Sequence, residues 1–158
     1  MKSIRRRRLE SRTDYKARLA LLKSEKPRIV VRKTNRYIIA QIVESEQAQD
    51  KTLIYTNSKS LLENGWPKEL SGSLKSLQAA YLTGFFLGKK AKEKLKRDLI
   101  LDIGMHRNIS KSRIYALLKG AIDAGLKISH APEVLPTEEE LNSNKKLSPI
   151  LKKLRGAD

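Results

Sequence analysis

The sequence contains no cysteine, so disulfide bridges and metal sites built on thiolates are excluded. Its two histidines, His106 and His130, cannot form a structural zinc site between them. Long apolar runs are also missing: none approaches the roughly 18 residues of a membrane span. A secretory signal requires an apolar segment after its basic start, and no such segment follows the N-terminal arginines. These absences favour a cytoplasmic protein with no metal and no other cofactor.

Sequence motifs of catalysis are equally scarce. The chain has no P-loop, no dinucleotide-binding fingerprint and no serine-histidine-aspartate pattern. A metal-dependent nuclease needs converging carboxylates, yet the segment from Arg28 to Val43 contains none, and Asp98, Asp102 and Asp123 lie further along the chain. We therefore expect a protein that is not an enzyme and has no small-molecule substrate.

Positive charge, by contrast, is abundant and concentrated. Lys and Arg number 34 against 17 acidic residues, a net charge of +17, and residues 1–36 hold 14 of these cations against 3 acids. Four arginines, Arg5 to Arg8, are consecutive. Self-repulsion on this scale does not stabilise a fold, so it indicates a polyanionic partner, and nucleic acid is the leading candidate. The arginine run lacks the apolar face of a membrane-surface helix, so no membrane partner is expected.

Hydrophobic periodicity predicts alternating strands and helices. We predict a helix over 14–23, strands over 28–33, 37–43 and 52–56, a polar connection over 44–51, a helix from 77 to 95, a strand over 99–103 and a helix over 112–124. A further strand is possible at 126–128. Gly84 and Gly88, one turn apart on the apolar face of the longer helix, predict its close approach to the sheet.

The order β-β-β-α-β-α predicts an α/β fold, in which a mixed sheet of four to five strands is flanked by helices. The expected domains are a basic RNA-binding arm over 1–14, without regular structure before binding, a globular domain over 15–131 and a helical C-terminal extension over 132–158. Within that extension, Thr137 and Glu140 form a predicted capping box, and Ser148-Pro149 can start another helix.

Candidate RNA-binding residues fall in two N-terminal groups. The arm supplies phosphate-binding cations, since arginine's planar fork suits phosphate, and the first hairpin offers charged residues at its tip. The arm group is Arg5, Arg6, Arg7, Arg8, Arg12, Lys16 and Arg18, and the hairpin group is Arg28, Arg32, Lys33, Asn35, Arg36 and Tyr37. Solubilising or edge-protecting charges remain the alternative for both groups.

Three further features leave two interpretations open. The loop with His106, Arg107, Lys111 and Arg113 precedes a helix N-terminus, where backbone N–H groups favour phosphate, or is an ordinary solvated loop. The basic run Lys89, Lys90, Lys92, Lys94, Lys96 and Arg97 either contacts RNA or simply ends a helix. Trp66 either stacks on a base or covers the edge of the core.

Five stretches carry a resemblance to a known family. They are "SRTDYKARLALLKSEKPRIVVRKTNRYIIAQIV", "AAYLTGFFLGKKA", "LDIG", "RIYALLKGAIDAGL" and "HAPEVLPTEEE". In their order and spacing, over about residues 5–140, they resemble the archaeal form of universal large-subunit ribosomal protein eighteen. That family also includes bacterial ribosomal protein eighteen and eukaryotic large-subunit protein five.

The resemblance implies a ribonuclease-H-like motif without catalytic acids. It implies a structural protein of the large ribosomal subunit that binds 5S rRNA and anchors it to 23S rRNA in the central protuberance, beside neighbouring large-subunit proteins. It assigns RNA contacts to Arg5–Arg8, Arg12, Arg18, Arg28, Arg32, Lys33, Asn35 and Arg36, with Tyr37 and the loop around Ser58, Lys59 and Trp66 as weaker candidates. A general nucleic-acid-binding protein and a ribonuclease-H-like nuclease remain the alternatives.

Overall fold

The computed structural model describes residues 4–156 except 48, 93 and 96. Predictions for Lys96 and for the two ends of the chain therefore lie outside the described residues. The helices are α1 Arg6–Leu9, α2 Tyr15–Lys23, α3 Leu77–Lys92, α4 Arg113–Asp123, α5 Glu138–Asn142 and α6 Ser148–Arg155. The strands are β1 Arg28–Lys33, β2 Ile38–Glu46, β3 Gln49–Asn57 and β4 Ile100–Asp102. Short 3-10 helices cover Ser58–Leu62, Lys68–Ser73 and Pro132–Val134.

The four strands form one mixed sheet in the order β3-β2-β1-β4. β1 pairs antiparallel with β2 and β2 antiparallel with β3, whereas β1 and β4 are parallel, with Arg28 opposite Ile100. A parallel pair requires a crossover, and α3 lies in it. The predicted α/β fold with a mixed sheet and flanking helices is confirmed. The possible fifth strand is reduced to one bridge between Leu99 and Ile128.

The prediction of a polar connection over 44–51 was wrong. β2 and β3 continue through this segment as a ribbon, with Ser45 opposite Asp50 and Glu46 opposite Gln49. The side chains at its tip are exposed. With no buried face, the apolar alternation that marks a strand in the sequence is absent, although the backbone pairs as far as Glu46 and Gln49.

One face of the sheet carries the core. Ile29 and Val31 of β1 lie there beside Ile42 of β2; α3 packs against β2 and β3, and α4 packs against α3 in the same core. Trp66 is also buried in this core, and its indole N–H donates to the carbonyl of Leu70 at 3.1 Å. The interpretation of Trp66 as a cover for the core edge is therefore confirmed.

The glycines of α3 serve a different contact from the one predicted. A Cβ on Gly84 would lie 1.9 Å from the carbonyl oxygen of Leu117 in α4, and one on Gly120 would lie 2.0 Å from that of Tyr81 in α3. Gly88 likewise faces Ala121 and Ala124. The prediction that these glycines bring α3 close to the sheet was wrong, because they let α3 and α4 touch backbone to backbone.

Specific residues mark the ends of three helices. Asp14 accepts two backbone N–H groups at the start of α2, and Thr137 and Glu140 form the predicted capping box of α5. Gly125, at φ +103°, follows the end of α4. α3 ends before Leu95. None of the helices within the described ranges is long and apolar enough to cross a lipid bilayer.

The two terminal segments differ in packing. The arm contains one helical turn, α1, where we expected no regular structure; the Arg6 side chain pairs with Glu10 at 3.0 Å, and no residue of α1 is buried. At the other end, α6 buries Leu151 and Leu154 in the same core as α3. The division into arm, globular domain and extension stays a prediction.

Candidate nucleic-acid interface

Strand direction brings three basic segments to one end of the sheet. β1 and β4 are parallel. β3 runs in the same direction as β1, because both of these strands pair antiparallel with β2, which lies between them. The carboxyl ends of these three strands therefore lie together. They continue into the turn after β1, the 3-10 helix after β3 and the loop between β4 and α4. We name residues 32–37, 58–59 and 103–113 the basic edge.

The hairpin turn presents its tip to solvent. The Thr34 backbone N–H and side-chain hydroxyl both donate to the carbonyl of Tyr37, each at 2.9 Å. Asn35 and Arg36 are exposed between them. The ammonium of Lys75 donates to the carbonyl of Asn35 at 3.4 Å. Lys75 was not among the residues predicted from the sequence, because only the tertiary fold brings it to this turn.

The loop after β4 is held by hydrogen bonds from three directions. The backbone N–H of Gly104 donates to Asp102 Oδ1 at 2.9 Å, and that of Lys33 donates to His106 Nε2 at 3.0 Å. The N–H of Lys111 donates to the carbonyl of Val134 at 2.8 Å. These bonds make the loop an ordered part of the basic edge before any partner binds.

His106 is a neutral acceptor in this arrangement. Burial lowers its pKa below the ordinary 6.5, and the positive charges of Lys33 and Arg32 lower the pKa further. A neutral imidazole keeps a lone pair on one ring nitrogen. The Lys33 N–H uses that lone pair, so the low pKa and the hydrogen bond support each other.

Arg32 is fixed by Asp102. Its guanidinium donates to the Asp102 carbonyl at 3.0 Å and to Asp102 Oδ1 at 3.1 Å, while 43% of its side chain remains exposed. Gly104 lies against this guanidinium at φ +61°, and a Cβ there would approach Arg32 Cζ to 2.8 Å. Glycine at this position thus keeps Arg32 and the loop in register.

Two grooves open on either side of the loop. The first, of about 450 Å³, is lined by cations of the arm and α2 together with Arg32 and Met105. The arm and α2 contribute Arg7, Arg12 and Arg18 to this groove. The second, of about 640 Å³, is lined by Lys33, His106, Arg107, Lys111 and Arg113, again with Met105. Met105 is the wall that the two grooves share.

Some of the cations that line or flank these grooves are held by internal contacts. Arg7 donates to the Thr13 hydroxyl at 2.9 Å, Arg5 lies over the Tyr15 ring and Arg18 pairs with Asp50 at 3.0 Å. In the second groove, Lys111 pairs with Glu140 at 2.7 Å. Arg107 and Arg113 are exposed and, within the described part of the chain, have no such partner.

Arg28, predicted as an RNA contact, is buried instead. Only 2% of its side chain is exposed, and its guanidinium bonds Asp102 at 2.9 Å, Asp50 at 2.7 Å and the Ser45 hydroxyl at 2.9 Å. The face of β1 that looked solvent-exposed is closed by carboxylates from β3 and β4. Arg28 cannot reach RNA from this position without unfolding that contact.

Ser58 and Tyr37 are also less accessible than predicted. Ser58 is buried, and its hydroxyl accepts the backbone N–H of Ile38 at 3.0 Å. Tyr37 is half-buried against the core. Lys59, the next residue after Ser58, is exposed. The 3-10 helix therefore offers its lysine, not its serine, to a partner.

Asp102, one of the three aspartates considered above for a nuclease site, is paired with arginines. Asp102 on β4 is bound by Arg28 and Arg32, as described above. Among residues 4–156, leaving aside 48, 93 and 96, no group of three or more His, Cys, Asp or Glu side chains could hold a metal ion. The described carboxylates thus do not converge in the way that two-metal cleavage of RNA requires.

The basic run that spans the last turn of α3 and the residues just after it is partly engaged in internal contacts. Arg97 pairs with Glu44 on the β2 ribbon at 3.0 Å, and the Lys89 ammonium lies 5.0 Å from the centre of the Phe85 ring. Lys90, Lys92 and Lys94 are exposed. This run is not part of the basic edge.

Comparison with known proteins gives one consistent result. The family model for ribosomal large-subunit proteins 60S L5 and 50S L18 matches residues 1–100. The chain is 49% identical over 136 residues to large ribosomal subunit protein uL18 of Korarchaeum cryptofilum, a match that spans 86% of this chain and 68% of that protein. It is 46% identical over 134 residues to the uL18 of Methanospirillum hungatei, covering 85% and 74%, and 45% identical over 136 residues to that of Methanoregula boonei, covering 86% and 76%.

Proposed function

The chain belongs to the family of ribosomal large-subunit proteins 60S L5 and 50S L18, and from that premise we propose that it binds 5S rRNA and anchors it to 23S rRNA in the central protuberance. In this family the chain is a structural protein of the large ribosomal subunit and not an enzyme. Its partners are ribosomal RNA and ribosomal proteins. We propose both which RNA the protein binds and which residues contact it.

The observation that carries the proposal is a set of exposed cations with no internal partner. Within the described ranges, no hydrogen bond or ion pair engages the side chains of Arg8, Lys16, Lys33, Arg36, Lys59, Arg107 and Arg113. They lie on the arm, α2 and the basic edge. Cations that a fold leaves unpaired on one surface are available to phosphates, and each phosphate contact releases condensed counterions.

Recognition is divided between two kinds of contact. The arm over residues 1–14, with Arg5 to Arg8 and Arg12, supplies phosphate contacts that position the RNA. The hairpin tip at Asn35 and Arg36 and the loop around Arg107 are held rigidly by hydrogen bonds, so they supply recognition of RNA shape. The domain over 15–131 holds these elements, and the extension over 132–158 supports it through α6. Arg28 and Ser58 are excluded from the proposed interface because both are buried.

Binding to labelled 5S rRNA in excess tRNA tests the proposal. At about 0.2 M salt, where purely electrostatic binding is weakened, we expect the 5S rRNA complex to survive the competitor. Loss of the complex to tRNA would contradict specific recognition. That result would support the alternative of a general nucleic-acid-binding protein, which the net charge of +17 also favours.

A further inference from the structure

The loop between β4 and α4 exposes two large apolar side chains among cations. Met105 is 54% exposed and Ile109 is 58% exposed. Met105 lines both grooves, and Ile109 lines the second one beside Arg107 and Arg113. An apolar side chain between two grooves lined by cations has no use against an RNA backbone, because the backbone offers it only charge and ribose.

The loop is rigid enough to present these side chains in one place. Three hydrogen bonds hold it: Gly104 donates to Asp102, Lys33 donates to His106 and Lys111 donates to Val134. The Tyr115 hydroxyl donates to the side chain of Asn108 in the middle of the loop. Lys111 adopts φ +59°, which turns the chain sharply just before α4. A loop fixed in this way can enter a partner without first losing conformational entropy.

We propose that Met105 is a wedge that contacts an unpaired, unstacked base of the bound RNA, with the flanking backbone lying in the two cationic grooves. Ile109 extends the apolar surface on the side of the second groove. The inference rests on the proposed function and adds to it the kind of RNA that this loop takes: a bulge or internal loop, and not a continuous duplex.

Physical chemistry favours unpaired RNA as the occupant. The bases of an A-form duplex are stacked, and its deep, narrow major groove does not admit side chains. In duplex DNA, apolar wedges, methionine among them, must unstack a base step at a cost of about a few kcal/mol, and a base that is already unstacked spares that cost. The charge complementarity is strongest in the second groove, where Arg107 and Arg113 have no internal partner among the described residues. In the first groove four arginines face two carboxylates, Asp14 and Asp102.

Affinity measurements with two Met105 variants test the apolar contact. We expect M105S to weaken binding to 5S rRNA by about tenfold, the order expected for losing one buried apolar side chain, and M105L to retain binding. Neither variant should change binding to a fully paired RNA duplex. The control is L19S, because Leu19 is 55% exposed on α2 and lines neither groove.

Site-directed cleavage tests the position of the loop. Because the chain has no cysteine, M105C carries an iron chelate at a single position, and K145C, between α5 and α6, serves as the control. We expect hydroxyl-radical cleavage of 5S rRNA to centre on unpaired nucleotides. Cleavage centred within a helix would overturn the wedge, as would the absence of cleavage, which a loop docked on a neighbouring ribosomal protein would give.

The outcomes separate the wedge from the proposed function. Unchanged affinity of M105S for 5S rRNA, with weaker binding by R107Q, would overturn the wedge and leave 5S rRNA binding intact. Equal weakening of M105S on duplex and on 5S rRNA would also overturn it. Wild-type protein that prefers tRNA would overturn the proposed function itself and, with it, this inference.

Discussion

An arginine at the start of β1 is buried and paired, whereas an arginine just beyond the end of β1 is exposed and, within the described ranges, unpaired. At its amino end, Arg28 is buried and bonded to Asp102, Asp50 and Ser45. Beyond its carboxyl end, Arg36 is exposed and has no partner among the described residues. Eight positions along one chain thus separate a cation that holds the fold together from one that is open to a ligand.

The carboxylates near each end account for the difference. Asp50 on the β2–β3 ribbon also pairs with Arg18, and Glu44 pairs with Arg97. Burial alone would raise the pKa of Asp50, but the Ser45 hydroxyl, Arg18 and Arg28 lower it below its ordinary 3.8. At the basic edge the described ion pairs involve Asp102 and Glu140, and several cations exceed that supply. Local neutralisation, more than local charge, therefore distinguishes Arg28 from Arg36.

Replacing Arg28 should produce the largest effect. R28M leaves the buried Asp102 without one of its two guanidinium partners and takes a partner from Asp50. Removing one member of a buried ion pair typically costs 3–5 kcal/mol, and because Asp102 keeps Arg32 and the Gly104 N–H, we expect about 3 kcal/mol of lost stability. Urea unfolding measures this difference.

The matched control is R36M, at the other end of β1. It should change the free energy of unfolding by no more than about 0.5 kcal/mol, as exposed substitutions usually do. Equal destabilisation by R28M and R36M would contradict the contrast between the two ends of the strand.

Removing two unpaired cations should weaken RNA binding without unfolding the protein. The double variant R36Q and R107Q loses one charge on the hairpin tip and one on the loop. Charge-assisted hydrogen bonds to phosphate are stronger than neutral ones, so we expect a loss of about 2 kcal/mol or more in binding to 5S rRNA. R97Q is the control, because Arg97 is equally basic but lies outside the basic edge and pairs with Glu44. An R97Q effect as large as that of the double variant would mean that the location of the charge is immaterial.

The salt dependence of binding sharpens the same comparison. If about 8 phosphates are neutralised, the logarithm of the binding constant should fall against the logarithm of salt concentration with a slope of roughly −6 to −7. The double variant R36Q and R107Q should reduce the magnitude of that slope by about 1.5. Titration over a range of salt concentrations measures both. A wild-type slope near −2 would be incompatible with contact to many phosphates.

The smallest expected effect is a pH dependence at the basic edge. Because the pKa of His106 is lowered in the folded state, the unfolded chain binds more protons as the pH falls. Stability from His106 is therefore full above its unfolded value and declines as the pH drops from about 7 to about 5. Urea midpoints across this range measure the decline. H106Q should not show this decline in stability. The lowered pKa values of Asp50 and Glu140 change the stability only in more acidic solution.

Helices and buried strands could be predicted where an apolar pattern accompanies them. β1 has the predicted bounds, and α4 lies within one residue of them. The ribbon over 44–51 could not be predicted, because its exposed faces leave no pattern. The role of Gly84 was also predicted wrongly. The spacing of small residues on a helix indicates that another element packs closely against it, but not which element that is.

Part of the candidate site was predictable for the same reason. Arg36 and Arg107 follow strands that the sequence marks clearly, so their places in connecting segments could be inferred. Lys75 was missed because it lies in a different segment and reaches the hairpin turn only through the fold. The burial of Arg28 and Ser58 could not be predicted, because strand alternation tells which face a side chain lies on but not what covers that face.

Residue types and short spacings were enough to predict the α/β order of elements, the lack of thiolate chemistry, the absence of carboxylates from residues 28–43 and a cation excess that indicates a polyanionic partner. Which of those cations are paired depends on the tertiary fold. Arg28 is neutralised by Asp102, 74 positions away, because β1 and β4 pair in parallel. Ion pairing depends on distances in space, and a chain sets those distances only when it folds.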